Sequence, residues 1–216
     1  MTVRLIVIGS GGFARETLDV IHAVNQAGTA SFEVVGILDD HPSDASVKLL
    51  HRRGLKISGS IRSLLQDELD IDFDAYVIAI GDPIVRRDLV RRIPGHRRAA
   101  TAIVHPNASI GSDVLFSEGV VVCAGVALST NINLGPHSHI NAHATIGHDA
   151  SIGCAVSINP AAVISGTVTV GDGALVGASS VVLQGIFIGE SAVIGAAACV
   201  TRDVAAGATV KGIPAR

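Results

Sequence analysis

The 216-residue sequence has no run of lysine or arginine, and its formal net charge is −3. Without a cationic patch or a basic balance there is nothing to hold a polyanion, so neither nucleic acid nor an anionic membrane surface is expected as a partner. Cysteine is scarce as well. Cys123, Cys154 and Cys199 are an odd number, widely spaced and without a C-x-x-C pair, which reads as small buried apolar side chains in a reducing, cytoplasmic setting. The N-terminal MTVRLIVIG carries one basic residue and an apolar stretch too short for a signal peptide; it is expected to be a strand. Charge is absent from residues 150–171 and 173–189, yet regular Gly, Ser, Thr and Asn interruptions argue against a membrane span there. What is present is 48% hydrophobic content, enough for one large or two small globular domains.

The two halves follow different patterns. Residues 1–103 hold 13 of the 16 Lys and Arg and 13 of the 19 Asp and Glu. There, the aliphatic runs RLIVIG, FEVVGILDD and DAYVIAIG alternate with helical stretches at 15–26, 60–68 and 83–92. This alternation predicts a small parallel α/β domain. Gly9, Gly11 and Ala14 follow the first run in the G-x-G-x-x-A spacing of a dinucleotide-binding turn. A full dinucleotide fold needs two such halves, and only about 95 residues precede the change of pattern. The glycines therefore read as a turn where a phosphate or sugar can approach a helix N-terminus.

From residue 104 to 216 the period is six. Every sixth residue from Val104 to Val200, seventeen in all, is aliphatic or Phe, with no insertion. With half of all residues apolar, the chance of such a run is about one half to the seventeenth power. The residue after each is often Gly, as at 135, 147, 153, 171 and 177, and the one two before it is small or aliphatic. Such hexads predict a parallel β-helix: three short strands close one coil of 18 residues, the periodic aliphatic points inward, and the small residue after it permits the corner.

Taken with the motifs IGSGGFARE, ILDD at 37–40, AIGD at 79–82, INAHATIGHDASIG at 140–153, SINPAAVISG at 157–166 and the final GIPAR, the chain resembles the left-handed β-helix (hexapeptide-repeat) sugar acetyltransferases of bacteria. That group includes sialic acid O-acetyltransferases and UDP-4-amino-sugar N-acetyltransferases. The resemblance implies a Rossmann-like nucleotide-sugar domain at 1–103 and an acyltransferase β-helix at 104–216. It also implies a homotrimer with sites between neighbouring subunits, and acetyl-CoA as co-substrate with no metal.

Acyl transfer from a thioester needs a base for the nucleophile's proton and donors for the oxyanion. The resemblance places the base at His148, in IGHDASIG, and assigns Asp149 to raise its basicity; relatives often carry Glu, one methylene longer. On spacing alone His148 reads first as an ordinary solvated turn residue, and it is the resemblance that makes it the base. Relatives commonly carry a second His nine residues on, contacting the acyl donor or substrate, where this chain has Ser157. Gly166, Ala178 and Ala196 fall where the family contacts acetyl-CoA, with Lys211 and Arg216 as candidates for its phosphates. Gly11, Gly12 and Phe13 fall on the nucleotide-sugar, with Asp39 and Asp40 as acceptors for ribose or base.

The resemblance implies an acyl-CoA-dependent N-acetyltransferase acting on a nucleotide-linked amino sugar, with an O-acetyltransferase on a sialic-acid-like sugar as the alternative, since nothing in the sequence separates an amine from a hydroxyl acceptor. Two other classes stay open. His143-x4-His148 matches two zinc ligands of the γ-class carbonic anhydrases, but Asn107 stands where their third His would be, and His105 is two residues off. A non-catalytic nucleotide-sugar-binding trimer is the other.

Overall fold

The computed structural model describes residues 2–216. The first half is a four-stranded parallel sheet of β1 (Val3–Ile8), β2 (Phe32–Leu38), β3 (Ile57–Gly59) and β4 (Ala75–Ile78), in the order β3-β2-β1-β4. Both faces of β1 are covered: Leu5 and Val7 pack under α1 (Gly12–Ala27), whereas Ile6 and Ile8 pack with Ile61, Leu64 and Leu89. The expected helices are present as α1, α3 (Ile61–Leu65) and α4 (Pro83–Arg92). The sequence reading missed α2 (Asp44–His51). Its N-cap Ser43 accepts from Ser46 N, but it buries only Ser46 and Leu50, too little for a helical period to stand out.

Among the described residues, eighteen short strands follow, from β5 (Ile103–Val104) to β22 (Thr209–Val210), in three parallel sheets. Along the regular coils, pairing joins residues 18 apart, as Ile146 with Ile164 and Ile152 with Val170. The three sheets are the faces of a prism. The first face runs through Ile103, Val121, His139, Ser157, Leu175 and Val193, the second through Ser109, Ala127, Thr145, Val163, Val181 and Cys199, and the third through Leu115, Asn133, Ser151, Thr169 and Phe187.

The six-residue aliphatics form the interior, with the small residues two before them, such as Ala144, Ala150 and Ala162, filling the space between. Each buried Ile or Val adds about 1.5–3 kcal/mol relative to exposure. The first coil is less covered, and its Ile110 is 42% exposed because no coil lies beneath it.

The corner works differently from expectation. The left-handed residue is three after the aliphatic, not one, and it is seldom glycine: Asn131, His137, His143, Asp149 and Thr167 all have φ between 54° and 59°. The glycine directly after the aliphatic serves coil stacking instead. A Cβ on Gly147 would lie 2.6 Å from the Gly166 backbone nitrogen.

The α/β half sits on the first face. Arg86 of α4, with no exposed surface, donates to the carbonyls of His137, Ala155 and Val156 and to Ser157 Oγ in the coils, and to Ile80 O and Gly81 O in its own domain. Burial pushes its pKa down to about 9, so it stays charged at neutral pH.

Candidate active site

His148 lies at the corner between the second and third faces, two residues after the inward Ile146. Its Nδ1 is 2.6 Å from Asp149 Oδ2, and both side chains are about half exposed, at 50% and 45%. The shorter Asp therefore reaches the imidazole. Asp149 has φ 59°, a conformation that Asp tolerates better than most residues, and this turn lets adjacent side chains converge. Its other oxygen, Oδ1, accepts from Asn131 Nδ2 at 3.0 Å, one coil below. The bonds from His148 and then Asn131 hold the Asp149 carboxyl below its ordinary pKa.

With Nδ1–H donated to a carboxylate, the neutral ring keeps its lone pair on Nε2. That nitrogen faces Gly166 of the next coil so closely that a Cβ there would stand 2.5 Å from it. Gly166 N–H makes no hydrogen bond among the described residues. A free basic nitrogen and a free donor thus lie side by side at an open corner. This pairing suits proton removal beside a developing oxyanion.

Ala178 and Ala196 stack one coil apart on a different corner, between the first and second faces, where Ala197 N donates to Ala178 O. The second face separates them from His148. Ser157 is elsewhere again: only 1% exposed, it donates to Gly81 O at 3.1 Å and accepts from Arg86 Nη2 at 2.9 Å. Expected on the acyl-donor side, it is instead enclosed in the domain junction, because a side chain on the first face points at α4. Lys211 and Arg216 pair through their backbones, each N donating to the other's O at 3.1 Å. His143 stands at the Ala178 corner, apart from His148, and no three His, Cys, Asp or Glu among the described residues come close enough to share a metal.

In the α/β half, Gly9 is required by the fold: its φ is +107° and a Cβ would meet Ala79 O at 2.9 Å. Gly11 and Gly12 are not. A Cβ on Gly11 would have nothing within 4 Å, and as N-cap of α1 it supplies no side-chain cap, so the first-turn N–H groups have no side-chain partner there. Asp39 shapes this loop, Oδ2 accepting from Ser10 N at 2.9 Å and Ser10 Oγ at 2.5 Å, and Oδ1 from His41 N at 2.8 Å. Asp40 accepts from Arg62 N at 3.1 Å, at the start of α3. Phe13 stacks on His139, ring centroids 4.2 Å apart. The glycine loop is thereby fixed over the first face, across the prism from the His148 corner. One chain does not bring them together.

Residues 4–93 match the model of the PglD N-terminal domain. That stretch is similar to the PglD N-terminal domain, and the hexad coil follows it. Among solved structures of this kind it is similar to PerB from Caulobacter crescentus in complex with CoA and GDP-perosamine, at 29% identity and TM-score 0.82 over 98% of this chain and 95% of that one. It is also similar to WeeI from Acinetobacter baumannii AYE, at 28% identity and TM-score 0.80 over 100% and 99%. The acetyltransferase domain of PglB from Neisseria gonorrhoeae, at 24% identity and TM-score 0.85 over 99% and 98%, shares the fold. Comparison with curated protein sequences finds no match.

Two features of this chain escaped the sequence reading. Arg86 looks like one of many helix arginines, and nothing in its neighbours marks it as buried. Asn131 did leave a signal: it lies 18 residues, one coil, before Asp149.

Proposed function

We propose that His148 is the general base of an acetyl-CoA-dependent N-acetyltransferase whose acceptor is the amino group of a nucleotide-linked sugar. The amine attacks the thioester carbonyl carbon while Nε2 of His148 takes its proton. Gly166 N–H meets the oxyanion. Collapse breaks the C–S bond, and the proton returns from His148 to the departing sulfur, giving an amide and free CoA. Asp149 holds the ring in the Nδ1–H tautomer and stabilises the imidazolium. The observation that carries this reading is the His148–Asp149 pair with Nε2 free above Gly166. PerB, whose solved complex holds CoA and GDP-perosamine, supports it over nearly the whole length of both chains.

We assign residues 1–103 to the nucleotide-sugar and 104–216 to acyl transfer. Gly11, Gly12 and Phe13 present α1's first-turn donors to the nucleotide phosphates, with Asp39 shaping the loop and Asp40 beside it as an acceptor for ribose or base. Ala178 and Ala196 give a small-residue track for the pantetheine arm. Because one chain holds loop and base apart, the working unit is a homotrimer in which a neighbour completes each site, in the cytoplasm. Among the described residues, no helix is long and apolar enough to cross a membrane.

The test is thiol release from acetyl-CoA with UDP-, GDP- and dTDP-linked amino sugars and free sialic acid, alongside His148→Ala. One nucleotide amino sugar should turn over, with the variant slower by about 10²–10⁴. Normal turnover by the variant would remove His148 as base, and turnover of sialic acid alone would move the acceptor from amine to hydroxyl.

A further inference from the structure

Asn131 is the partner of Asp149 that the acetyl-transfer chemistry alone does not call for. It occupies the same corner position as Asp149, one coil earlier, in a column that runs Asp113, Asn131, Asp149 with φ of 55°, 54° and 59°. The backbone of that column is tied between coils: Asn131 N donates to Ser112 O at 3.2 Å and Asp149 N to Thr130 O at 3.0 Å. Thr130 and Ser112 add a hydroxyl pair at 2.9 Å. Asn131 Nδ2 is thus presented to Asp149 Oδ1 from a braced turn, while Oδ2 faces His148.

We propose that Asn131 is a positioning residue, the third member of a His148–Asp149–Asn131 relay that spans two coils. The inference rests on His148 being the base. A carboxylate on one methylene, half exposed, can rotate about its Cβ–Cγ bond and turn either oxygen to solvent. The amide bond to Oδ1 removes that freedom, so Oδ2 stays on Nδ1 and the lone pair stays on Nε2. Only a neutral donor serves here. An Asp at 131 would set like charges one coil apart, and a small apolar residue would leave Oδ1 to water.

Nitrogen-15 NMR of histidine-labelled full-length protein at neutral pH reads the ring of His148 without any substrate, and His148→Ala assigns its signals. The wild type should show one tautomer, with Nδ1 protonated and Nε2 bare. Asn131→Ala should lose that single-tautomer signature, the two ring shifts moving toward each other. Asn131→Asp, isosteric and equally able to adopt a left-handed turn, should lose it too, which keeps the test decisive if the Ala variant folds poorly. A merely structural Asn131 would leave the ring shifts unmoved in Asn131→Asp, and that result would overturn the relay, as would an Nε2–H tautomer in the wild type. Failure of the base assignment itself is read separately, as turnover by His148→Ala, so the two failures cannot be confused.

Discussion

His148 and Gly166 are one coil apart, and the contact between them is where one atom decides geometry. The three atoms nearest a Cβ on Gly166 all belong to the His148 ring, at 2.5 to 3.0 Å, and none belongs to the backbone. Gly166→Ala should therefore push the ring outward and leave the coils alone. A displacement of about 1 Å at a reacting group costs about 10²-fold in rate. The expected outcome is a fall in kcat near that size, with the thermal unfolding midpoint within about 2 °C of wild type. Steady-state kinetics on the accepted sugar and a melting curve check it. Equal losses in both would mark Gly166 as a packing position only. Gly147 is the contrasting case, because a Cβ there would strike Gly166 backbone nitrogen, and no side-chain motion relieves that.

At the scale of elements, the junction between α4, β4 and the first face is built from polar groups. His139 Nε2 pairs with Ile78 O at 2.9 Å, and His137 stacks on Tyr76 with ring planes 7° apart; both rings are 1% exposed and lie near Arg86. Burial first, then the Arg86 charge, lowers His137 to about 4 and His139 well below its ordinary value. Unfolded, each ring takes a proton near 6.5. Between pH 6.5 and 4 the unfolded chain binds more protons, so stability is flat above about 6.5 and declines as pH falls, by about 3 kcal/mol for His137 alone. Melting curves from pH 7.5 to 4.5 should show this slope, shallower in His137→Asn, which keeps a residue suited to the left-handed turn and cannot titrate. An unchanged slope would locate the acid sensitivity elsewhere. None of this junction was legible in the sequence, because burial of Arg86 and the two histidines is a product of two domains meeting, and neither domain's pattern encodes it. The interior of the coil was legible, since each hexad buries its own aliphatic against the next. Its corner was misread for a physical reason: a small residue beside a turn satisfies either a left-handed φ or a close backbone approach, and spacing alone does not distinguish them.

For the whole molecule, the arrangement of base and loop on opposite sides of one prism makes a prediction that a self-contained site would not. Gly11→Glu fills open space at the N-terminus of α1 and places a negative charge where an anion is expected, so it should fold and fail to bind nucleotide-sugar. His148→Ala should bind and fail to react. If each site lay within one chain, a mixture of the two variants would contain no intact site at all. In a trimer whose sites join one chain's His148 to a neighbour's loop, random co-assembly of equal amounts pairs an intact base with an intact loop in about a quarter of sites. Co-expression of the two variants should therefore restore about one quarter of wild-type thiol release, whereas mixing the separately assembled proteins should restore none until subunits exchange. Both variants inactive alone and inactive together would mean that base and loop meet within a single chain, and the fold would have to bring the α/β domain around the prism to allow it.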